Sequence, residues 1–154
     1  MDIDIDKNIV YFQIVSNDKT NPFWLSLEIW VKKKILLVDD DKNIRDLYEF
    51  LLEKAGEFII RHATDGHEAF RIFDEFHPDL ILLDVMMPRL DGLQVLKKLR
   101  QSNPDVIIVI NTAHADVKKN MISWTAHAII EKTMLPGEVI ATIKRLLSEA
   151  DDQK

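Results

Sequence analysis

Residues 78–92 read Pro78-Asp79-Leu80-Ile81-Leu82-Leu83-Asp84-Val85-Met86-Met87-Pro88-Arg89-Leu90-Asp91-Gly92. The run Leu80 to Leu83 has no polar alternation, which suits a strand buried on both faces. It closes on an acid, Asp84, that has no obvious capping duty ahead of Val85-Met86-Met87-Pro88. Working outward, four more runs share this character: Ile35-Leu36-Leu37-Val38, Phe58-Ile59-Ile60, Val106-Ile107-Ile108-Val109-Ile110 and Ala128-Ile129-Ile130. Segments of helical period alternate with them, the pattern of a doubly wound α/β fold in which helices cover both faces of a five-stranded parallel sheet.

The intervening segments carry their own punctuation. Ile44, Leu47, Leu51 and Ala55 recur at helical spacing, with Asp41 as the predicted N-cap and Gly56 where a left-handed C-cap belongs. Asp65-Gly66 opens a second helix through Ala69, Ile72, Phe73 and Phe76, which His77-Pro78 ends. The Phe70, Phe73 and Phe76 set reads as core packing. Leu93, Leu96 and Leu99 mark a third helix closed by Asn103-Pro104, and a fourth is expected near Val117 to Ser123. The last begins after Pro136 and buries Val139, Ile140, Ile143, Leu146 and Leu147, giving five strands and five helices.

Length and composition bound the reading. The 154 residues suit one domain, and 47% apolar with 30% charged residues excludes disordered, collagenous and coiled-coil classes. The net charge of −6 divides as −3 over residues 1–30 and −3 over residues 31–154, which argues against sequence-independent nucleic-acid binding. With no cysteine, disulfides, zinc ribbons, iron–sulfur clusters and a thiol nucleophile are excluded, and a cytoplasmic location is expected. No apolar run approaches the ~18 residues a membrane span needs. The acidic start Met1-Asp2-Ile3-Asp4-Ile5-Asp6 is unlike a signal peptide, so neither membrane insertion nor secretion is expected. Residues 1–32 form an N-terminal extension outside the repeating scheme. A hairpin of Asn8–Val15 and Phe23–Val31 is narrowly preferred there. Asn21-Pro22 could equally start a helix, and the segment could be an upstream extension without selected structure.

In an open parallel sheet, ligands bind outside the carboxyl ends of the strands, so the residues just past each run matter most. Asp39 and Asp40 follow the first run, Asp84 the third, Thr112 the fourth and Lys132 the fifth. A strand order of 2-1-3-4-5 would gather all five at one edge. Three crowded carboxylates would raise one another's pKa unless a cation favours their ionised forms. Mg2+ suits this set, because it takes oxygen ligands, keeps several waters and is commonly held by one or two carboxylates plus a phosphate. Lys132 and the Thr112 hydroxyl could meet phosphoryl oxygens. Singly, each has an ordinary reading: Asp39-Asp40-Asp41 as a strand exit and cap, Thr112 as a turn hydroxyl, Lys132 as a surface lysine. The five histidines, His62, His67, His77, His114 and His127, show no ligand spacing.

Together, Ile35–Asp41, Pro78–Gly92, Thr112-Ala113 and Lys132 resemble the receiver domain of bacterial two-component response regulators, over roughly residues 33–150 in the family's own order. That resemblance implies a flavodoxin-like (CheY-like) sheet of order 2-1-3-4-5, with residues 151–154 as a short tail. It further implies that Asp84 accepts a phosphoryl group from a histidine kinase or a histidine phosphotransfer domain. Asp39, Asp40 and Asp84 would hold Mg2+ with the backbone carbonyl of Met86, while Thr112 and Lys132 grip the phosphoryl oxygens. Three carboxylates, a divalent cation and one lysine sum to zero charge before transfer. Afterwards the acyl phosphate leaves about one more negative charge to absorb. In the family, Met86 and His114 would flank the phosphoryl group.

The chain departs from the family's pattern where the signal is read out. Thr133 replaces the usual proline after Lys132, Ile129 stands where a switch aromatic is expected, Thr125 replaces a glycine, and the Thr112–Lys132 stretch is short. With only four residues after Ala150, a stand-alone receiver acting through a downstream protein partner, with no direct nucleic-acid or membrane contact, is the leading expectation. A pseudo-receiver that binds partners without phosphorylation is the alternative. An aspartate-nucleophile phosphatase is disfavoured, because Met86 stands where its second aspartate would be. None of the candidate site residues lies in residues 1–30. A chain beginning near Val31 is therefore expected to fold and take up a phosphoryl group, and loss of folding by circular dichroism would place the extension in the core.

Overall fold

The computed structural model describes residues 3–5, 8–16, 25–56, 58–88 and 92–152. The chain divides into two units, Met1–Lys32 and Lys33–Lys154. In the first, β1 (Ile3–Ile5), β2 (Asn8–Ser16) and β3 (Leu25–Val31) form an antiparallel sheet in that order. The hairpin reading holds for β2 and β3, whose register pairs Tyr11 with Trp30 and Phe12 with Ile29. Its predicted turn, and the helix start at Asn21-Pro22, lie outside the described residues.

In the second unit the order of elements is β4 (Lys33–Val38), α1 (Lys42–Ala55), β5 (Phe58–Ala63), α2 (Gly66–Phe76), β6 (Leu80–Leu83), α3 (Gly92–Ser102), β7 (Ile107–Thr112), β8 (Ala128–Glu131) and α4 (Pro136–Asp151). All five strands are parallel, in the order β5-β4-β6-β7-β8, the 2-1-3-4-5 arrangement. Period-two alternation sends each strand's residues to two layers. Leu36, Val38, Ile81, Leu83, Ile108 and Ile110 pack with α2 and α3, whereas Ile35, Leu37, Leu80, Leu82, Ile107 and Val109 pack with α1 and α4. Burial on both sides is why these runs carry no polar alternation.

The helix ends follow their predicted caps. The Asp41 carboxylate accepts from the Asn43 amide at 2.8 Å, and the Asp65 carboxylate accepts from the amides of His67 and Glu68. Gly56 closes α1 at φ 82, a conformation glycine takes without steric cost. Arg100 on α3 braces the far side of the sheet. Its guanidinium donates to the carbonyls of Pro104 and Val106, and to His127 Nδ1, which also accepts from the Ile108 amide. Burial, with Arg100 adjacent, lowers the His127 pKa, as suits a ring that accepts two hydrogen bonds.

Two expectations need correction. The fourth helix does not form as an α-helix: the segment makes two short 3-10 helices, Ala115–Lys119 and Met121–Thr125. Asn120 separates them in an extended conformation, its side chain accepting from the Ile122 amide at 2.9 Å. Back-bonding by the Ser123 hydroxyl to the Val117 and Asn120 carbonyls competes with a regular helical ladder. Leu47, assigned to the buried stripe of α1, is exposed, and Tyr48 and Leu52 take the inner positions. The helical phase is turned so that Ile44 and Leu51 only border the core.

Gly92 starts α3 directly behind the end of β6. A Cβ there would stand 2.4 Å from Val85 Cα and 2.6 Å from the Asp84 carbonyl oxygen, both rigid backbone. Gly92→Ala is expected to lower stability by roughly 1–3 kcal/mol and to displace the Asp84 loop, as measured by denaturant unfolding and by amide shifts of residues 84–86.

Candidate functional site

Parallel pairing aligns the carboxyl ends of β4, β6, β7 and β8. Asp39 follows β4 and Asp84 follows β6, each anchored through its amide, which donates to Ala63 O and Val38 O respectively. Thr112 ends β7, and the Lys132 amide just past β8 donates to the Thr112 carbonyl at 2.9 Å. The sheet therefore carries four of the five predicted side chains to one edge. Asp40, exposed beside Asp39, is the fifth.

Within this cluster Asp39 is 5% exposed, Asp84 4% and Thr112 0%. Ligand atoms of Asp39, Asp40 and Asp84 all lie within 4.8 Å of one another, the one such acidic or histidine group among the described residues. Lys132 Nζ sits 2.6 Å from Asp39 Oδ2 and 2.7 Å from Asp84 Oδ2. The remaining oxygens face backbone: Asp39 Oδ1 accepts from the Asp41 amide and Asp84 Oδ1 from the Met86 amide, each at 2.9 Å. The Thr112 hydroxyl accepts from the His114 amide at 3.1 Å. Met86 is exposed, as is His114.

The electrostatics show a group of acids short of positive charge. Burial raises the Asp39 pKa and the Asp84 charge raises it further, against the opposing hydrogen bonds and charge from Lys132 and Asp41. Burial would lower the Lys132 pKa, but its contacts to Asp39 and Asp84 outweigh this and hold it above the usual lysine value. Beyond its close contact with Lys132 Nζ, the buried Asp39 Oδ2 meets no hydrogen-bond donor among the described residues. An all-oxygen set of three carboxylates that share a single ammonium fits a hard divalent cation.

Three contributors escaped the sequence reading. Arg45 donates from Nη1 to the Asp39 carbonyl at 2.6 Å, tying α1 to the end of β4. Its signal would have been its place one helical turn beyond Asp41. Tyr48 and Asn111, both buried, meet beneath the acids at 3.3 Å. An asparagine directly continuing the apolar run Val106–Ile110 was the visible sign.

Residues 35–144 match the sequence profile of the response regulator receiver domain. The chain belongs to the response regulator receiver family. This receiver is 41% identical over 93 residues to the probable transcriptional regulator ycf27 of Guillardia theta, covering 60% of this chain and 36% of that protein. It is 46% identical over 83 residues to the alkaline phosphatase synthesis transcriptional regulatory protein PhoP of Bacillus subtilis, covering 54% of this chain and 34% of that one. The chain thus matches over about a third of the length of these curated relatives. Among solved structures, the receiver is similar to the response regulator TrrA of Thermotoga maritima in complex with Mg2+ and BeF, with a TM-score of 0.71 and 34% identity, covering 74% of this chain and 98% of that one. A CheY-like receiver domain protein of Methanospirillum hungatei aligns with a TM-score of 0.75 at 27% identity, covering 80% of this chain and 99% of that one.

The raised Asp39 pKa has a defined sign. The folded state holds this proton more tightly than the unfolded chain, so Asp39 withdraws stability as pH rises from 3.8 through its folded value. A divalent cation held there would bind the ionised form and oppose the loss. The melting-temperature gain from Mg2+ over EDTA is expected to grow as pH rises through that window, and a gain independent of pH would show that Asp39 is not a ligand.

Proposed function

We propose that this receiver accepts a phosphoryl group on Asp84 from a phosphohistidine-bearing protein, a histidine kinase or a histidine phosphotransfer domain, and signals through protein partners. The observation that carries the reading is the convergence of Asp39, Asp40, Asp84 and Lys132 at one sheet edge, with Thr112 at the same end. The acidic set and the Mg2+ and BeF complex of TrrA support Mg2+ as the cofactor. Asp39, Asp40, Asp84 and the Met86 carbonyl would hold it, and when bound it supplies positive charge to the transferring phosphoryl oxygens.

The chain's own groups perform the rest. An Asp84 carboxylate oxygen attacks phosphorus and the P–N bond breaks. Its electron pair stays with the imidazole nitrogen, which leaves neutral when the other ring nitrogen carries a proton. Lys132, released from its bridge between the two acids, would turn its ammonium to a phosphoryl oxygen, and the Thr112 hydroxyl would donate to another. The acidic residues hold Lys132 close by in the meantime. The peptide after Lys132 is trans, as expected with Thr133 there.

The reading is tested by incubating the chain with acetyl phosphate and Mg2+ and measuring intact mass. One phosphoryl increment is expected, lost with EDTA and lost in Asp84→Asn, because an amide is a far poorer nucleophile than a carboxylate. No labelling of the wild-type chain would favour the pseudo-receiver alternative, and persistent labelling of Asp84→Asn would move the acceptor elsewhere.

A further inference from the structure

β7 presents its residues alternately to the two layers, and Asn111 falls on the same side as Ile107 and Val109, which pack with α1 and α4. An amide there is out of character with its surroundings. It is 1% exposed, and Tyr48, 6% exposed, reaches from α1 to donate its hydroxyl to Asn111 Oδ1 at 3.3 Å. This buried polar pair lies immediately below the acids. A small, partly open recess of about 10 Å³ is lined by Tyr48, Asn111, Arg45, Asp39 and Asp84 with apolar neighbours such as Leu37. That is about the volume that admits one water, provided it finds at least two polar partners. The lining residues supply them: the Tyr48 phenol, the Asn111 amide and the Asp39 carboxylate, whose buried Oδ2 is met by Lys132 and by no other donor among the described residues.

We propose that Tyr48 and Asn111 are positioning residues for the acceptor site, forming a polar floor that holds one water beneath Asp39 and orients its carboxylate for the cation. This inference rests on the acceptor reading above and adds to it a supporting layer drawn from α1 and β7. Groups that orient a metal-binding carboxylate from behind typically change affinity when removed, even though they never touch the ion. The long Tyr48 to Asn111 contact suits a pair that shares its hydrogen-bonding capacity with a third group.

The test uses the full chain as wild type, Tyr48→Phe, Asn111→Leu and the double variant, with Mg2+ titrated calorimetrically and thermal melts recorded alongside. Tyr48→Phe leaves Asn111 buried without its partner and is expected to lower the melting temperature. The double variant, apolar on both sides, is expected to recover it. The Mg2+ Kd is expected to rise roughly tenfold in the double variant in spite of that recovery. A Kd that stays at the wild-type value, or returns to it together with the melting temperature, makes the pair purely structural and overturns the proposal. A high-resolution crystal structure should place one water within hydrogen-bond distance of Asp39 Oδ2 and of Tyr48 or Asn111, and a dry recess overturns it equally. Should Tyr48→Phe not fold, the double variant and Asn111→Leu carry the comparison. If the wild-type chain binds no Mg2+ and takes no phosphoryl group, both readings fall. If it does both and the variants match it, only the polar floor falls.

Discussion

The ion contact from Lys132 to Asp39 and Asp84 is the interaction on which the upper end of the sheet depends. Two carboxylates, each about 95% buried, repel one another at close range and call for nearby positive charge. One ammonium serves both, and its own burial is offset by the same contacts. Such an arrangement is held together and yet incomplete, because one shared ammonium is all that meets the buried Asp39 Oδ2 among the described residues. A buried charge cluster of this kind is weak evidence for stability, and such clusters recur at functional sites.

Much of what positions these groups is apolar core beneath the sheet edge. The two core layers fix the strands in register, the register fixes where each strand ends, and the ends fix the acids and the lysine. Gly92 adds a steric condition, since the backbone behind Asp84 is too close for any larger residue. The chemistry is thus exposed to packing errors that occur well away from it.

Most of this was legible because it depended on local signals. Unbroken runs such as Leu80–Leu83 identify doubly buried strands, Asp41 and Asp65 cap helices, and the acids mark the strand ends. The strand order was inherited from the family resemblance, since alternation alone does not rank strands in a sheet. What failed to show were features decided by competition between neighbours. In the segment after β7, apolar spacing suggested a helix, while the Asn120 and Ser123 side chains took backbone partners and divided it into two 3-10 turns. In α1 the phase of burial was set by which residue reaches furthest inward, so Tyr48 displaced Leu47. The Tyr48 and Asn111 contact spans 63 positions in sequence, beyond any local pattern.

β7 carries two polar residues in succession, Asn111 directed to one layer and Thr112 to the other. Adjacent positions on a pleated strand have opposite parity, so a one-residue shift of register would carry each of these two to the other layer and turn every other side chain of the strand over with them. The history open to this strand is correspondingly narrow. It can change by substitution, one residue at a time, but a single insertion or deletion within it would reverse both layers together. Length variation is thereby confined to the connections on either side, such as the irregular segment between β7 and β8, where it leaves the parity of the sheet untouched.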